Sequence, residues 1–260
     1  MFKKLIAVTL IMTLMIAATA CGKKDMTTFD KIKDKKEVTF AMSGAYPPFN
    51  YIDEDGEVTG FDIEIANAIA DKMGVKAVPI TTAWDGIIGG LKGNRFDMII
   101  GSMAITEDRL KEVNFSDPYY YDGAQFFAKT DSGLNSIEDL DNGKVGVVTG
   151  TTFHEYLEGL DNIDEILQFE SDVDNMKSVE QGRIDGLVTG KFVGLMGPEK
   201  YGVEIEPVGS LLYAEDIAIA IRKEDTKLLE EVNKALKAII EDGTYEEISN
   251  RYFGQNILEK

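Results

Sequence analysis

Apolar positions along this chain follow two alternating rhythms. Short unbroken apolar runs at residues 38–42, 76–80, 96–100, 144–148, 185–189 and 217–221 predict strands. The runs at 96–100 and 144–148 are apolar enough for strands covered on both faces. Between these runs the apolar positions recur every three or four residues. Ile65, Ala66, Ile69, Ala70 and Met73 form one such stripe, with Asp62 in the place of a helix cap and Gly74 as a stop. Leu228, Leu229, Val232, Leu236, Ile239 and Ile240 form another, over a helix expected at 226–242. Shorter helices are expected at 29–32, 84–91, 136–140, 173–181, 191–196 and 245–252. This alternation of strand and helix predicts an α/β architecture. One local plan occurs twice: an apolar strand, a loop of small residues, then a helix start, at 96–109 and again at 144–152. Two α/β lobes with a cleft between those loops follow from it.

The first of these stretches carries the most chemistry. After the strand come Gly101, Ser102, Met103, Ala104 and Ile105, and then Thr106, which has the side chain of an N-cap. Glu107 and Asp108 put negative charge in the first turn, but Arg109 opposes the positive end of the helix dipole at a cost of a few tenths of a kcal/mol. Backbone N–H groups and a guanidinium facing one small volume suit a carboxylate. An exposed arginine paired with a neighbouring acid is the other reading of the same spacing, and both stand at this point.

Residues 1–20 read as a targeting signal: Lys3 and Lys4, an uncharged apolar run, then small residues before Cys21, the one cysteine of the chain. The apolar run is short for a membrane span. It looks like a bacterial lipoprotein signal, in which Cys21 takes a lipid; the usual leucine three residues earlier is Ala18 here. Residues 21–36 then read as a lipid anchor and tether, shading into a short helix. With one cysteine there is no intramolecular disulfide, and the domain rests on its core. The net charge of −19 excludes nucleic acid as the natural partner, since phosphate contacts need a basic surface. One histidine and one cysteine leave no Ser-His-Asp set, no cysteine nucleophile and no metal cluster.

Six segments in this order resemble the family 3 extracytoplasmic solute-binding proteins, the polar amino-acid group that serves ATP-driven (ABC) importers. They are the residues 45–49 (AYPPF), 60–66 (GFDIEIA), 105–109 (ITEDR), 115–120 (FSDPYY), 145–152 (VGVVTGTT) and the ending 242–254. The resemblance covers residues 38–253. It implies a type II periplasmic-binding-protein-like fold, with two lobes joined by two extended crossovers near 125–128 and 218–221. Lobe 1 would take 37–127 plus 222–260, and lobe 2 would take 128–221. It further implies a monomeric, lipid-anchored receptor outside the cytoplasm, without cofactor or metal, that closes on a small carboxylate-bearing solute, an amino acid or derivative, and delivers it to a membrane permease.

On this resemblance Arg109 clamps the α-carboxylate, backbone groups of the 102–104 run (Ser102, Met103, Ala104) complete the contact, and Gly150, Thr151 and Thr152 approach it from the other lobe. Many relatives have a hydroxyl residue at the position of Ala104. Tyr46 and Trp84 would cover the ligand. The departure is Gly190. The turn Gly182-Arg183-Ile184-Asp185 is followed five residues later by glycine, where the family has an aspartate for the α-ammonium. Three explanations stand: a ligand without an α-ammonium, substitution by Asp216 or Glu215, or an alignment displaced by one residue. His154, the sole histidine, reads as an ordinary surface residue. A dehydratase-like lyase of cyclohexadienyl-acid type on the same fold is the enzyme alternative, and a sensor domain is a third, disfavoured because no membrane segment follows in this sequence.

Overall fold

The computed structural model describes residues 26–259; the signal and Cys21 lie outside the described residues. The chain enters through α1 (Thr28–Lys35), where Thr27 and Asp30 cap each other reciprocally. Ile32 is buried, and Lys33 donates to the Met73 carbonyl at 2.6 Å. Most of the expected tether after Met26 is therefore a docked helix, longer than the short one expected at 29–32.

β1 (Glu37–Met42) starts the main sheet, and β2 (Ala45–Tyr46), β3 (Asn50–Ile52) and β4 (Val58–Thr59) make a small antiparallel sheet beside it. α2 (Phe61–Met73) begins at Gly60, not at Asp62. Gly60 has φ 125°, and a Cβ there would lie 2.3 Å from the Phe49 carbonyl oxygen, so only glycine fits. Asp62 is instead wholly buried within the first turn. β5 (Lys76–Thr81) follows, and α3 (Ile87–Lys92) starts three residues after Trp84, which precedes the helix instead of opening it. β6 (Met98–Ala104) runs on through Gly101, Ser102 and Met103, so the small residues expected as a loop are strand. α4 (Glu107–Glu112) and β7 (Val113–Phe115) complete this part.

β8 (Tyr120–Lys129) leads into the second series: a 3-10 turn at Ile137–Asp139, β9 (Gly143–Val148), α5 (Thr152–Glu158), β10 (Ile163–Phe169), α6 (Asp172–Glu180), β11 (Gly186–Gly190) and α7 (Lys191–Tyr201). β12 (Ile205–Arg222) returns, and α8 (Thr226–Glu241) and α9 (Thr244–Phe253) pack on the first series. Besides the three short strands of the small sheet, β7, β8 and β10 have no counterpart among the strands expected above, and β12 is far longer than the expected 217–221 run. No helix among the described residues is long and apolar enough to cross a membrane.

The nine-stranded sheet has the order β10-β9-β11-β8-β12-β6-β1-β5, with β7 paired to β12. Its outer pairs are parallel, and the central pair β8 and β12 is antiparallel. Residues 120–124 of β8 pair with 213–217 of β12. Beyond them, Ala124–Ala128 pairs with β11, whereas Ile217, Ala218, Ala220 and Ile221 pair with β6. The stretches 125–128 and 218–221, expected as crossovers, lie in these paired segments of β8 and β12.

The largest core joins β1, α2, α8 and α9 through Phe40, Ile65, Ile69, Val232, Leu236 and Tyr245. At its edge Phe49 stacks on Tyr120 at 4.7 Å and meets Phe253 at 5.2 Å. Offset and edge-on aromatic pairs of this kind add about 0.5–1.5 kcal/mol each beyond burial.

Candidate functional site

A small cavity of about 50 Å³ lies where the β1, β6 and β9 ends meet. One wall comes from Ser43, Ala45, Tyr46, Trp84, Gly101, Ser102, Ala104 and Arg109, and the other from Val148, Thr151, Thr152, Phe153, Glu170, Ser171, Asp172 and Glu215. Ser102, Ala104 and Arg109 from the first strand–loop–helix unit and Thr151 and Thr152 from the second are thus brought together with Tyr46 and Trp84.

Arg109 is placed by its helix cap. Thr106 Oγ1 accepts the Arg109 backbone N–H at 3.2 Å, as the spacing predicted, which aims the side chain back across the end of β6. The guanidinium donates to the Ala104 carbonyl at 2.9 Å and lies 5.8 Å from the Trp84 ring. Burial pulls its pKa down, and Glu215 and Glu155 act on it only through space. Glu215 accepts a hydrogen bond from the Thr152 hydroxyl. Thr151 caps α5: its hydroxyl accepts the His154 N–H and donates to the Val148 carbonyl at 2.8 Å. Trp84 Nε1 donates to the Gly150 carbonyl at 3.1 Å, a contact that ties the two walls together.

Asp62 holds the floor. Its carboxylate accepts from Tyr119 Oη at 2.6 Å, Asn50 Nδ2 at 2.8 Å and Ser102 Oγ at 2.9 Å. Ser102, at φ 60°, also donates its N–H to Tyr119 Oη at 3.1 Å. The Ser102 N–H, expected to serve a ligand carboxylate, is therefore committed inside the protein. The same Asn50 accepts from the Gly44 N–H at 2.9 Å, fixing the turn that leads to Tyr46. An aspartate that the sequence offers as a cap is the hub of a buried network.

The far end of the cavity is acidic. A Cβ on Gly190 would lie 2.4 Å from Tyr46 Oη and 2.8 Å from Asp122 Oδ2, so the space next to Gly190 is already filled by a phenol and another carboxylate. Asp172, the first residue of α6, is 4% exposed, and its Oδ1 accepts no hydrogen bond. The Thr189 hydroxyl, buried beside it, interacts with the Asp172 carboxyl and with Tyr46. Burial, followed by the charges of Asp122, Asp172 and Glu215, raises the Tyr46 pKa, so its hydroxyl keeps its proton.

Four expected residues lie off the lining. Met103 alternates with Ser102 and Ala104 and so packs the opposite way, into the cluster of Ala41, Ile87 and Leu91. Gly150 contributes its carbonyl to Trp84, Gly190 backs Tyr46, and Asp216 borders surface hollows behind the wall, its carbonyl accepting the Ile105 N–H at 2.9 Å. Of the two acids considered as substitutes at the ammonium end, Glu215 is therefore in the cavity and Asp216 is not. His154 is likewise outside the lining. Ser43, Ala45, Val148, Phe153, Glu170, Ser171 and Asp172 were not anticipated. Among the described residues no group of three or more His, Cys, Asp or Glu is arranged to hold a metal ion.

Burial raises four carboxyl groups here: Asp62 to about 6, Asp122 and Asp172 to about 7, and Glu215 above its usual range. In this window the folded state holds protons that the unfolded chain has released, so stability falls as pH rises from the unfolded pKa through the folded one. The ligand-free protein should melt at a lower temperature at about pH 8 than at about pH 5, with a slope of up to about 1.4 kcal/mol per pH unit for each group. Melting curves across that range, on wild type and Asp172→Asn, read the effect; a rise of melting temperature with pH contradicts it.

The chain was compared with known proteins. The model of the bacterial extracellular solute-binding proteins, family 3, matches residues 38–255. The L-cystine-binding protein TcyJ of Escherichia coli is 30% identical over 236 residues, spanning 90% of this chain and 88% of that protein. The ABC transporter arginine-binding protein 1 of E. coli is 34% identical, over 85% of this chain and 92% of its own. Among solved structures, an ancestral amino-acid-binding protein, described as a precursor of cyclohexadienyl dehydratase, superposes with a TM-score of 0.81 at 35% identity, covering 87% of this chain and 99% of that one.

Proposed function

The chain belongs to the family 3 bacterial extracellular solute-binding proteins, with their two-lobed α/β fold, and from that premise we propose that it is the substrate receptor of an ATP-driven importer. It captures an amino acid or derivative by its carboxylate, closes over it, and presents the closed form to a membrane permease. The observation that carries this reading is Arg109: a largely buried guanidinium, facing a cavity between two lobes, with no carboxylate of the described residues hydrogen-bonded to it. A buried cation with no carboxylate hydrogen-bonded to it is costly, and an anionic group of a ligand would offset that cost. Thr151 and Thr152 face it across the cavity, which makes the site dependent on both lobes.

The register supports a lobe division at 121–123 and 214–216, a few residues from the boundaries read from the sequence. Contacts across it, Trp84 with Gly150 and the Lys200 ammonium 3.4 Å from the Tyr51 ring centroid, fit a closed arrangement that ligand would stabilise. Lipid attachment at Cys21 would keep the receptor at the outer face of the cell membrane. The relatives named for binding L-cystine and arginine make amino acids the first solutes to test.

A thermal-shift panel of the proteinogenic L-amino acids and L-cystine tests the reading. At least one should raise the melting temperature in proportion to the logarithm of its concentration, because a ligand of the native state stabilises by mass action. Silence across the panel would count against an amino-acid receptor. Recovery of the hit chemically unchanged separates a receptor from a lyase.

A further inference from the structure

We propose that Asp172 is the anionic receptor for a cationic group of the ligand, so that the solute bears an ammonium or guanidinium in addition to its carboxylate. This rests on the receptor reading above. The cavity wall holds one cation, Arg109, and three carboxylates, Glu170, Asp172 and Glu215. Their situations differ. Glu170 is exposed at the rim. Glu215 accepts the Thr152 hydroxyl and faces Arg109, so its charge is answered at the carboxylate end. Asp172 is almost fully buried, and no protein cation or hydrogen-bond donor reaches its Oδ1. Its place at the first position of α6 favours a negative charge through the helix dipole, but supplies no partner to that oxygen.

A buried carboxylate with no cation beside it and one oxygen unpartnered is costly, and such groups are held in place only where something else compensates them. The Thr189 hydroxyl, which touches the Asp172 carboxyl, and the protonated Tyr46 hydroxyl flank the same end. Together they supply one anion and two hydroxyl oxygens, a set that suits the N–H groups of an ammonium or guanidinium. Gly190 contributes by having no side chain: the room a carboxylate would need there is taken by Tyr46 and Asp122. The charge that the resemblance looked for at position 190 is supplied from the start of α6.

The test uses calorimetric titration of the tightest-binding amino acid from the panel, and of the same acid with hydrogen in place of its amino group. Wild type, Asp172→Asn and Asp172→Glu are compared. Asp172→Asn should bind the amino acid roughly 100-fold or more weakly, since truncating one side of a buried charge pair has an effect of that order. It should bind the desamino acid as wild type does. Asp172→Glu, which keeps the charge, should retain preference for the amino acid over the desamino acid. The melting temperature of ligand-free Asp172→Asn should be unchanged or higher, because an uncompensated charge is removed; a merely structural aspartate would give a lower one. Equal affinity of wild type and Asp172→Asn for the amino acid overturns the assignment, as does equal weakening of both ligands in both variants. If no member of the panel binds wild type, the receptor reading itself fails and this one falls with it.

Discussion

Arg109→Ala should weaken binding of the amino-acid ligand by about a hundredfold to a thousandfold, read by calorimetry, while leaving the fold intact. The affinity loss follows from removing one side of a buried, charge-assisted pair, which typically costs about 2–5 kcal/mol. The fold is spared because what anchors α4 at this position is the backbone N–H accepted by Thr106, which alanine keeps. What is lost from the protein itself is one bond to the Ala104 carbonyl and a cation–π contact with Trp84. Loss of both should shift ligand-free stability by only about 1 kcal/mol. Arg109→Lys keeps the charge but not the planar fork, so it should recover part of the affinity and not all. Unchanged affinity in Arg109→Ala would show that the carboxylate sits elsewhere.

Arg222→Met should lower the melting temperature by roughly 10 °C without altering the affinity of the folded fraction. Arg222 is 3% exposed and answers four groups at once: Asp225 at 2.6 Å, the Leu91 and Phe96 carbonyls at 3.0 and 2.7 Å, and Asp97 at 3.9 Å. It pins the end of β12 to the segment between α3 and β6. Methionine fills similar volume but takes the guanidinium from the buried Asp225 carboxylate and the Phe96 carbonyl, while the Leu91 carbonyl keeps the Asn94 N–H at 3.0 Å. Breaking a buried pair from one side costs about 3–5 kcal/mol, and for a chain of this size each kcal/mol moves the midpoint by about 2–4 °C. The double variant Arg222→Met with Asp225→Leu should regain much of the loss, since a buried pair replaced by apolar side chains is often neutral. A drop of less than about 2 °C in the single variant would mean that the pair contributes little to stability.

The sequence exposes what is local. Thr106 and Arg109 are three residues apart, and their relation as cap and capped residue can be read from spacing alone. The α8 stripe and the covered strand at 144–148 are legible for the same reason. Asp62 was misplaced because an acid in a first helical turn looks like a cap, whereas its partners Asn50, Ser102 and Tyr119 are brought to it only by folding. β10 was missed because it is an edge strand, with Asp164 and Glu165 breaking its apolar pattern. β12 was cut short because it runs from a half-exposed first part, with Glu206, Ser210 and Glu215, into a fully buried end. At the site, the resemblance pointed to Tyr46, Trp84 and Arg109. It could not point to Asp172: one acid among forty-six carries no mark until folding sets it, buried and with an unpartnered oxygen, in the cavity wall.

The antiparallel pair β8 and β12 has a further consequence for how the chain reaches its fold during synthesis. From β8 through β12 the chain is one continuous segment, and the core of Phe126, Val145, Val147, Leu157 and Val188 lies wholly within it. The other half cannot close so early, because Phe40, Ile65 and Ile69 are covered by Leu228, Val232, Leu236, Ile239 and Tyr245 from the last helices. As the chain leaves the ribosome, the later-encoded half can therefore complete its core while the first-made strands wait for the C-terminus. Contacts this distant in sequence slow folding and keep apolar surface open meanwhile. Protection of that waiting surface falls to whatever meets the chain before its final helices arrive.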